Sequence, residues 1–170
     1  MKTQGKREGR KMVDGGKLCN ATKTSIDGIK FDSKFEADIY EILRGKIRRI
    51  NNPHLRIVVH YPIHFTGGKI PVRVSQKPTW KVDFVVIDAS KDNALICAIE
   101  AKGRFFDQDK YKFVLWDLYQ TIPLIVVYQK KKPLTLLSNG WLTFLPTFAF
   151  KSLDLVNQVR YKKKANEPRS

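Results

Sequence analysis

The sequence is poor in cysteine and lacks both a long apolar run and an apolar leader. Cys19 and Cys97 are its two cysteines in 170 residues, which predicts two free thiols rather than a disulfide scaffold. No run of about 18 apolar residues is present, so we expect no transmembrane helix. Residues 1–17 lack the apolar centre of a signal peptide. These absences predict a cytoplasmic protein.

Acidic residues are also scarce relative to basic ones. The chain has 16 Asp and Glu against 32 Lys and Arg, which gives a net charge of +16. An excess of this size implies a polyanionic partner, and nucleic acid is the first candidate. An anionic membrane surface is the alternative, but no basic amphipathic helix stands out. We therefore expect a nucleic-acid partner and no membrane association.

The length fits one domain with an ordinary core, since 42% of the residues are hydrophobic. Residues 1–24 are rich in Gly and Lys and lack periodicity, which predicts a flexible basic arm. We expect a single domain over residues 25–161 and a basic tail over residues 162–170.

Apolar periodicity and turn residues predict the outer elements of this domain. These are a helix from Asp32 to about Arg44 with Gly45 as its C-cap, a strand at Leu55–Tyr61, a hairpin tip at Gly67-Gly68, a helix at Asp109–Gln120 with Val114, Leu115 and Leu118 inward, a strand at Ile122–Tyr128, and a helix at Ser152–Tyr161 with Ser152 as its N-cap. The apolar run Trp141–Phe150, broken by Pro146, either packs on another subunit or covers one face of the sheet.

Two apolar runs, VDFVVI and ALICAI, predict neighbouring buried strands joined by a polar turn at Asp88–Asn93. Asp83 lies in the first run, and Glu100 directly follows the second. Because side chains alternate along a strand, Glu100 and Lys102 share one face. A buried carboxylate is costly unless it is paired or binds a metal. The cluster therefore indicates a functional site.

The elements follow the order helix, three strands, helix, strand, which predicts an α/β sandwich with a mixed central sheet flanked by helices. With Asp83 on one strand, Glu100-Ala101-Lys102 on the next and Glu36 on the first helix, the chain resembles the PD-(D/E)xK nuclease superfamily. It is most similar to phage and archaeal Holliday-junction resolvases and related phage endonucleases. The resemblance covers about Ser25 to Tyr128 and implies an αβββαβ restriction-endonuclease-like core and a prokaryotic or phage-infected host cell. The proline of the motif is missing, because Trp80-Lys81-Val82 precedes Asp83.

These residue types suit phosphodiester hydrolysis. Asp83 and Glu100 offer hard oxygen ligands for Mg²⁺ or Mn²⁺, and the resemblance implies that the carbonyl of Ala101 adds another. Lys102 would orient water or pair with the phosphate; beside two carboxylates it should stay protonated, which favours electrostatic positioning over a general base. Glu36 would stand at the edge of the cluster, holding a water molecule or a second ion. The expected catalytic residues are Glu36, Asp83, Glu100 and Lys102, and the expected metal ligands are Asp83, Glu100, Ala101 and Glu36.

Each of these residues also has a purely structural interpretation. Ser33-Lys34-Phe35-Glu36 matches the capping box S-x-x-E, in which the glutamate caps the helix. Asp83 could bond to backbone at a strand end, and Glu100 with Lys102 could form an ion pair at a sheet edge. The joint occurrence of the residues favours the functional interpretation.

Basic residues beside the site are candidate DNA contacts. Phosphate contacts supply affinity but little sequence information, and most surface lysines merely solvate a face. The candidates are Lys34, Arg104, Lys110 and Lys112. His60 and His64 are four residues apart, but Pro62 between them argues against a helical zinc site.

The resulting expectation is a Mg²⁺-dependent endodeoxyribonuclease that hydrolyses branched DNA, such as a Holliday junction, and leaves 5′-phosphate ends. Junction resolution needs two symmetric cuts and hence a two-fold homodimer. One alternative is a phage nuclease of restriction or repair type that cuts duplex or single-stranded DNA. Another is a non-catalytic DNA-binding module on the same fold, against which the intact Asp83, Glu100 and Lys102 argue.

Overall fold

The computed structural model describes residues 23–65, 79–129 and 141–155. The predicted hairpin tip, the basic tail and all but the last two residues of the basic arm lie outside these ranges. The described elements are β1 (Thr24–Ile26), β2 (Ile29–Phe31), α1 (Lys34–Ile50), β3 (Leu55–His64), β4 (Thr79–Asp88), a 3₁₀ turn (Ala89–Lys91), β5 (Ala94–Lys102), α2 (Asp107–Tyr119), β6 (Leu124–Tyr128), β7 (Leu142–Pro146) and α3 (Thr147–Ser152). No helix in these ranges is long and apolar enough to cross a bilayer.

The main sheet has the strand order β3-β4-β5-β6-β7. Strands β3, β4 and β5 pair antiparallel, whereas β6 and β7 run parallel to β5. Strands β1 and β2 form a separate hairpin. From α1 to β6 the chain follows the order helix, three strands, helix, strand. The predicted mixed α/β sheet is therefore confirmed.

A hydrophobic core lies on each face of this sheet. The α1-side core includes Ala37, Ile39, Tyr40, Leu43, Phe84, Val86, Ile99, Val127 and Phe150. The α2-side core includes Trp80, Val82, Val85, Ala98, Phe113, Trp116, Leu124 and Val126. Because β6 contributes to both cores, its sequence LIVVY is apolar without alternation. Helices flank both faces, as the element order predicted.

Helix α1 begins as predicted but ends later. The Ser33 side chain accepts a hydrogen bond from the backbone N–H of Glu36, which caps the N-terminus. The prediction that Gly45 ends the helix was wrong. The apolar stripe continues to Ile47, which packs on the α1-side core, and Asn51 in the left-handed conformation forms the C-cap. A glycine inside a packed helix costs only about 1 kcal/mol, so this packing outweighs it.

Helix α2 turns a different face to the sheet from the one predicted. Val114 and Leu118 are exposed, and Leu115 is half-buried, whereas Phe113 and Trp116 are buried. The Trp116 ring packs edge-on against Trp80 of β4, with 5.5 Å between ring centroids. Its indole N–H donates to the carbonyl of Ile122 at 2.8 Å. The rings of Phe113 and Trp116 bury more apolar surface than the predicted aliphatic stripe of the helix would. This difference determines which face of α2 packs on the sheet.

The apolar run Trp141–Phe150 forms β7 and most of α3. Strand β7 extends the sheet beside β6, and Phe150 is buried in the α1-side core. Most of the run is thus used within the subunit, although Phe148 is 76% exposed. Ser152 is the last residue of α3, and its hydroxyl donates to the carbonyl of Ala149. The prediction that Ser152 is an N-cap was therefore wrong, and residues 156–161 of that predicted helix lie outside the described ranges.

Candidate functional site

In strands β3 and β4, the alternation of side chains between the two faces of the sheet is interrupted at the level of Asp83. In β4, Val82 packs in the α2-side core, but Phe84, two residues on, packs in the α1-side core. Val59 and Tyr61 of β3 differ in the same way, and His60 between them has a φ of +55°. The pairs Val59↔Phe84 and Tyr61↔Val82 keep one register across this point. Asp83 and His60 therefore lie at the same level of neighbouring strands, where this alternation is interrupted.

The Asp83 and Glu100 carboxylates are each held by backbone of the neighbouring strand. The N–H of Ala101 donates to Oδ2 of Asp83 at 2.7 Å. The N–H of Asp83 donates to Oε2 of Glu100 at 3.3 Å. Glu100 is only 3% exposed. The two carboxylates therefore have fixed positions on adjacent central strands.

Lys102 joins this pair to helix α2. Its Nζ lies 2.8 Å from Oε1 of Glu100 and 3.1 Å from Oδ1 of Asp109. Asp109 is 2% exposed, and its Oδ2 accepts the backbone N–H of Phe106 at 2.9 Å. The Lys102 side chain keeps 16% of its surface exposed. One ammonium thus contacts two buried carboxylates and retains access to solvent.

The electrostatics of the site follow from burial and from these contacts. Burial and the neighbouring Glu100 charge raise the pKa of Asp83 well above its usual value. Burial also raises the pKa of Glu100, although Lys102 opposes the shift. Burial alone would lower the pKa of Lys102, but Glu100 and Asp109 outweigh it and raise that pKa. Lys102 is therefore a fixed positive charge at neutral pH, which makes it unsuited to act as a general base.

Glu36 lies at the edge of the site and also caps α1. Its Oε1 accepts the hydroxyl of Ser33 and its Oε2 accepts the N–H of Asp32, both at 3.1 Å. The capping interpretation of the sequence is therefore observed. Its charge nevertheless contributes, after burial and Glu100, to the raised pKa of Asp83. Glu36 thus acts on the site through its charge while its oxygens hold the helix terminus.

His60 and Asp32 form a second group with Glu36. Their ligand atoms all lie within 4.8 Å of one another. A group of one imidazole and two carboxylates can hold a cation, although exposed acidic groups are common without one. His64 does not join it, because its Nδ1 lies 3.0 Å from the hydroxyl of Thr79. The spacing of the histidines in the sequence does not predict this group, because Asp32 and Glu36 precede His60 by more than 20 residues.

The four predicted DNA contacts differ in their surroundings and in their exposure. Lys112 is near enough to lower the pKa of Glu100 through its charge, and its Nζ lies 5.7 Å from the centre of the Trp80 ring. Arg104 is exposed on the turn after β5 and stacks on Phe106. Lys110 pairs with Asp107 at 2.8 Å. Lys34 is exposed on the first turn of α1.

Sequence reasoning brought Asp83, Glu100 and Lys102 together but missed Asp109 as a partner of the lysine. The sequence pattern predicts Asp109 only as the start of a helix. A signal for it exists: an aspartate at the third position of a helix that closely follows a strand ending in a lysine can reach back to that lysine. The signal is weak, because acidic residues are common in first helical turns for their effect on the helix dipole.

In comparisons with known proteins, no protein-family model matches the chain and no curated protein sequence matches it significantly. The residues of the site and their contacts are thus what indicates its chemistry.

Proposed function

We propose that the protein is a divalent-metal-dependent endodeoxyribonuclease built on a restriction-endonuclease-like αβββαβ core. One observation carries the proposal. Glu100, which is buried, and Asp83, which is half-buried, come from neighbouring central strands and share one hydrogen-bonded network with Lys102. Holding two carboxylates side by side with little access to water is costly, and a bound cation offsets that cost. This residue set fits metal-assisted phosphodiester hydrolysis better than it fits a structural ion pair.

The donor set suits Mg²⁺ or Mn²⁺. Both ions prefer hard oxygen ligands, which carboxylates supply. No described residue donates a hydrogen bond to Oδ1 of Asp83, whose Oδ2 is held by the N–H of Ala101. Asp83 and Glu100 would hold the ion, with the carbonyl of Ala101 as a further ligand. When bound, the ion would supply positive charge that stabilises the phosphate in the transition state and lowers the pKa of an attacking water.

The protein groups around that ion have separate roles in the proposed reaction. Lys102 would hold a permanent positive charge against the scissile phosphate and orient the water. Glu36 would add negative charge beside Asp83 and strengthen cation binding. Water attacks phosphorus, the bond from phosphorus to the 3′ oxygen breaks, and the 3′ oxygen takes up a proton. The products are a 5′-phosphate and a 3′-hydroxyl.

DNA is the proposed substrate because of the charge of the chain. The net charge of +16 favours a polyanion. Lys112, whose charge lowers the pKa of Glu100, and Arg104, which follows Lys102 by two residues, would contact DNA phosphates. Three parts of this proposal rest on the resemblance to Holliday-junction resolvases: branched DNA as the substrate, a homodimer, and the αβββαβ core. The cytoplasm as the compartment rests instead on the two predicted free thiols.

The test is cleavage of a labelled four-way junction beside a linear duplex of the same sequence, each with Mg²⁺, Mn²⁺ or EDTA. Glu100→Gln keeps the size of the side chain and its acceptor for the Asp83 N–H but removes the charge. Glu41→Gln, on the exposed side of α1, is the matched control. We expect metal-dependent cleavage that falls by at least about 10²-fold in Glu100→Gln and stays unchanged in Glu41→Gln.

The outcomes separate the three candidate functions. Paired cuts confined to the junction would support a resolvase. Equal cleavage of the linear duplex would retain the nuclease and remove the preference for branched DNA. Salt-sensitive binding without metal-dependent cleavage of either substrate would instead support the non-catalytic DNA-binding module.

A further inference from the structure

We propose that Asp109 is a positioning residue that retains and orients the Lys102 ammonium while Glu100 holds the cation; this inference rests on the proposed nuclease function. Asp109 lies on α2, outside the strands that carry the other acidic residues of the site. Its carboxylate is nevertheless as deeply buried as that of Glu100. It contacts the lysine directly, at 3.1 Å. The proposed active site would therefore include the first turn of α2.

The contacts of Lys102 show what a second carboxylate adds. An ammonium has three N–H donors. One is directed at Glu100 and one at Asp109, which fixes the direction of the third. Since the lysine side chain keeps a small exposed surface, the third donor is the one available to a phosphate. Without Asp109 the lysine would be held at one point only and could rotate about its contact with Glu100.

A second carboxylate also prevents competition inside the site. If Lys102 had Glu100 as its only partner, binding of a cation by Glu100 would weaken the single contact that holds the lysine. Asp109 keeps its own contact throughout, because its other oxygen is fixed by the N–H of Phe106. The lysine can then stay in place whether Glu100 faces the ammonium or the ion.

Helix capping alone does not explain the burial of Asp109. A cap needs only one acceptor for the Phe106 N–H, and a partly exposed side chain would supply it. Asp107, in the same turn, is exposed and pairs with Lys110 instead. Asp109 is buried against a lysine, and a buried carboxylate is tolerated only with such a partner.

A double-mutant cycle tests the inference. Asp109→Asn keeps an acceptor for the Phe106 N–H but removes the charge, and Asp107→Asn is the matched control in the same helical turn. We expect kcat for DNA cleavage to fall by about tenfold to a hundredfold in Asp109→Asn, with the Kd for DNA in EDTA unchanged. In the Lys102→Met background, the same change should alter the residual kcat by no more than about twofold. Asp107→Asn should match the wild type in both assays.

A readout without activity accompanies the cycle. In the metal-free protein, Asp109→Asn should shift the urea midpoint. In the Lys102→Met background this shift should be smaller by at least about half, because the contact between Lys102 and Asp109 is already absent there. If Asp109→Asn does not fold, Asp109→Ser, whose smaller side chain still accepts a hydrogen bond, takes its place in both cycles.

Two results would overturn the inference. One is an Asp109 variant with wild-type kcat; the other is a kcat loss that is fully additive with that of Lys102→Met, as a helix cap alone would give. Absence of metal-dependent cleavage by the wild type would instead remove the proposed function, while the urea cycle would still report the Asp109–Lys102 contact.

Discussion

Replacing Asp83 with Asn should make the metal-free protein more stable while abolishing its response to a divalent cation. The amide oxygen of Asn can still accept the N–H of Ala101, which lies 2.7 Å from Oδ2 in the native protein. The substitution removes a partly desolvated negative charge that is repelled by the charges of Glu100 and Glu36. The variant therefore loses a repulsion and keeps a hydrogen bond.

The size of the gain follows from the cost of a poorly solvated charge. Replacing a whole buried ion pair by well-packed neutral residues is neutral or stabilises proteins by about 1 to 4 kcal/mol. Because Asp83→Asn removes one half-buried carboxylate that is repelled by two others, we expect a gain at the lower end of that range, about 1 kcal/mol. For a chain of this length, that gain corresponds to a rise in Tm of about 2 to 4 °C. Saturating the wild type with Mn²⁺ at a hundredfold excess over Kd should stabilise it by about 2.7 kcal/mol, and Asp83→Asn should lose this response.

The pH dependence of this gain has a defined sign. Burial raises the folded-state pKa of Asp83 above its unfolded value, so the folded protein binds this proton more tightly than the unfolded chain does. Stability then falls as the pH rises above about 4, the ordinary value for an aspartate. The advantage of Asp83→Asn should accordingly be small at acidic pH and largest at neutral pH.

The assay is urea denaturation in EDTA at acidic and neutral pH, repeated with Mn²⁺ at neutral pH. Asp38→Asn, on an exposed position of α1, is the matched control and should leave stability unchanged. If Asp83→Asn proved less stable than Asp38→Asn at neutral pH in EDTA, the assignment of Asp83 as a destabilising, function-bearing carboxylate would be wrong.

Two further predictions concern the packing of the sheet. Phe113→Ala should destabilise the protein by about 3 to 5 kcal/mol because it leaves a cavity in the α2-side core. Leu118→Ala should change the free energy of unfolding by less than about 0.5 kcal/mol. Similar urea midpoints for the two variants would contradict the observed orientation of α2. Cys97 is buried in β5, and burial raises the pKa of its thiol to about 12. In a Cys19→Ser background, iodoacetamide should therefore modify the protein in urea but not the native protein at neutral pH. Rapid modification of the native protein would contradict this burial.

Local patterns were enough to predict the parts of the fold in which neighbouring residues interact. The capping box at Ser33 fixed the start of α1, and the polar turn at Asp88–Asn93 fixed the connection between the central strands. Strand alternation likewise placed Glu100 and Lys102 on one face. In these cases a single element or one short connection decides the outcome.

The errors arose where a distant partner decides between equivalent local choices. Helical spacing allows α2 to bury either Phe113 and Trp116 or the aliphatic stripe that includes Leu118. Contact with Trp80, on the central strand β4, settles the choice. The partnership of Lys102 with Asp109 depends in the same way on the path of the turn between β5 and α2. Sequence periodicity holds no information about such contacts.

The alternation of side chains is interrupted in both β3 and β4 at the level of Asp83, and this has a consequence for how the sheet is built. Since Val59↔Phe84 and Tyr61↔Val82 flank it in one register, His60 and Asp83 amount to one extra rung in the ladder. Removing the rung from both strands would leave the flanking pairs matched and their side chains alternating normally. The two hydrophobic cores would be complete without it. The alternation of apolar side chains therefore does not depend on this pair of residues, and what the pair adds is the carboxylate of Asp83.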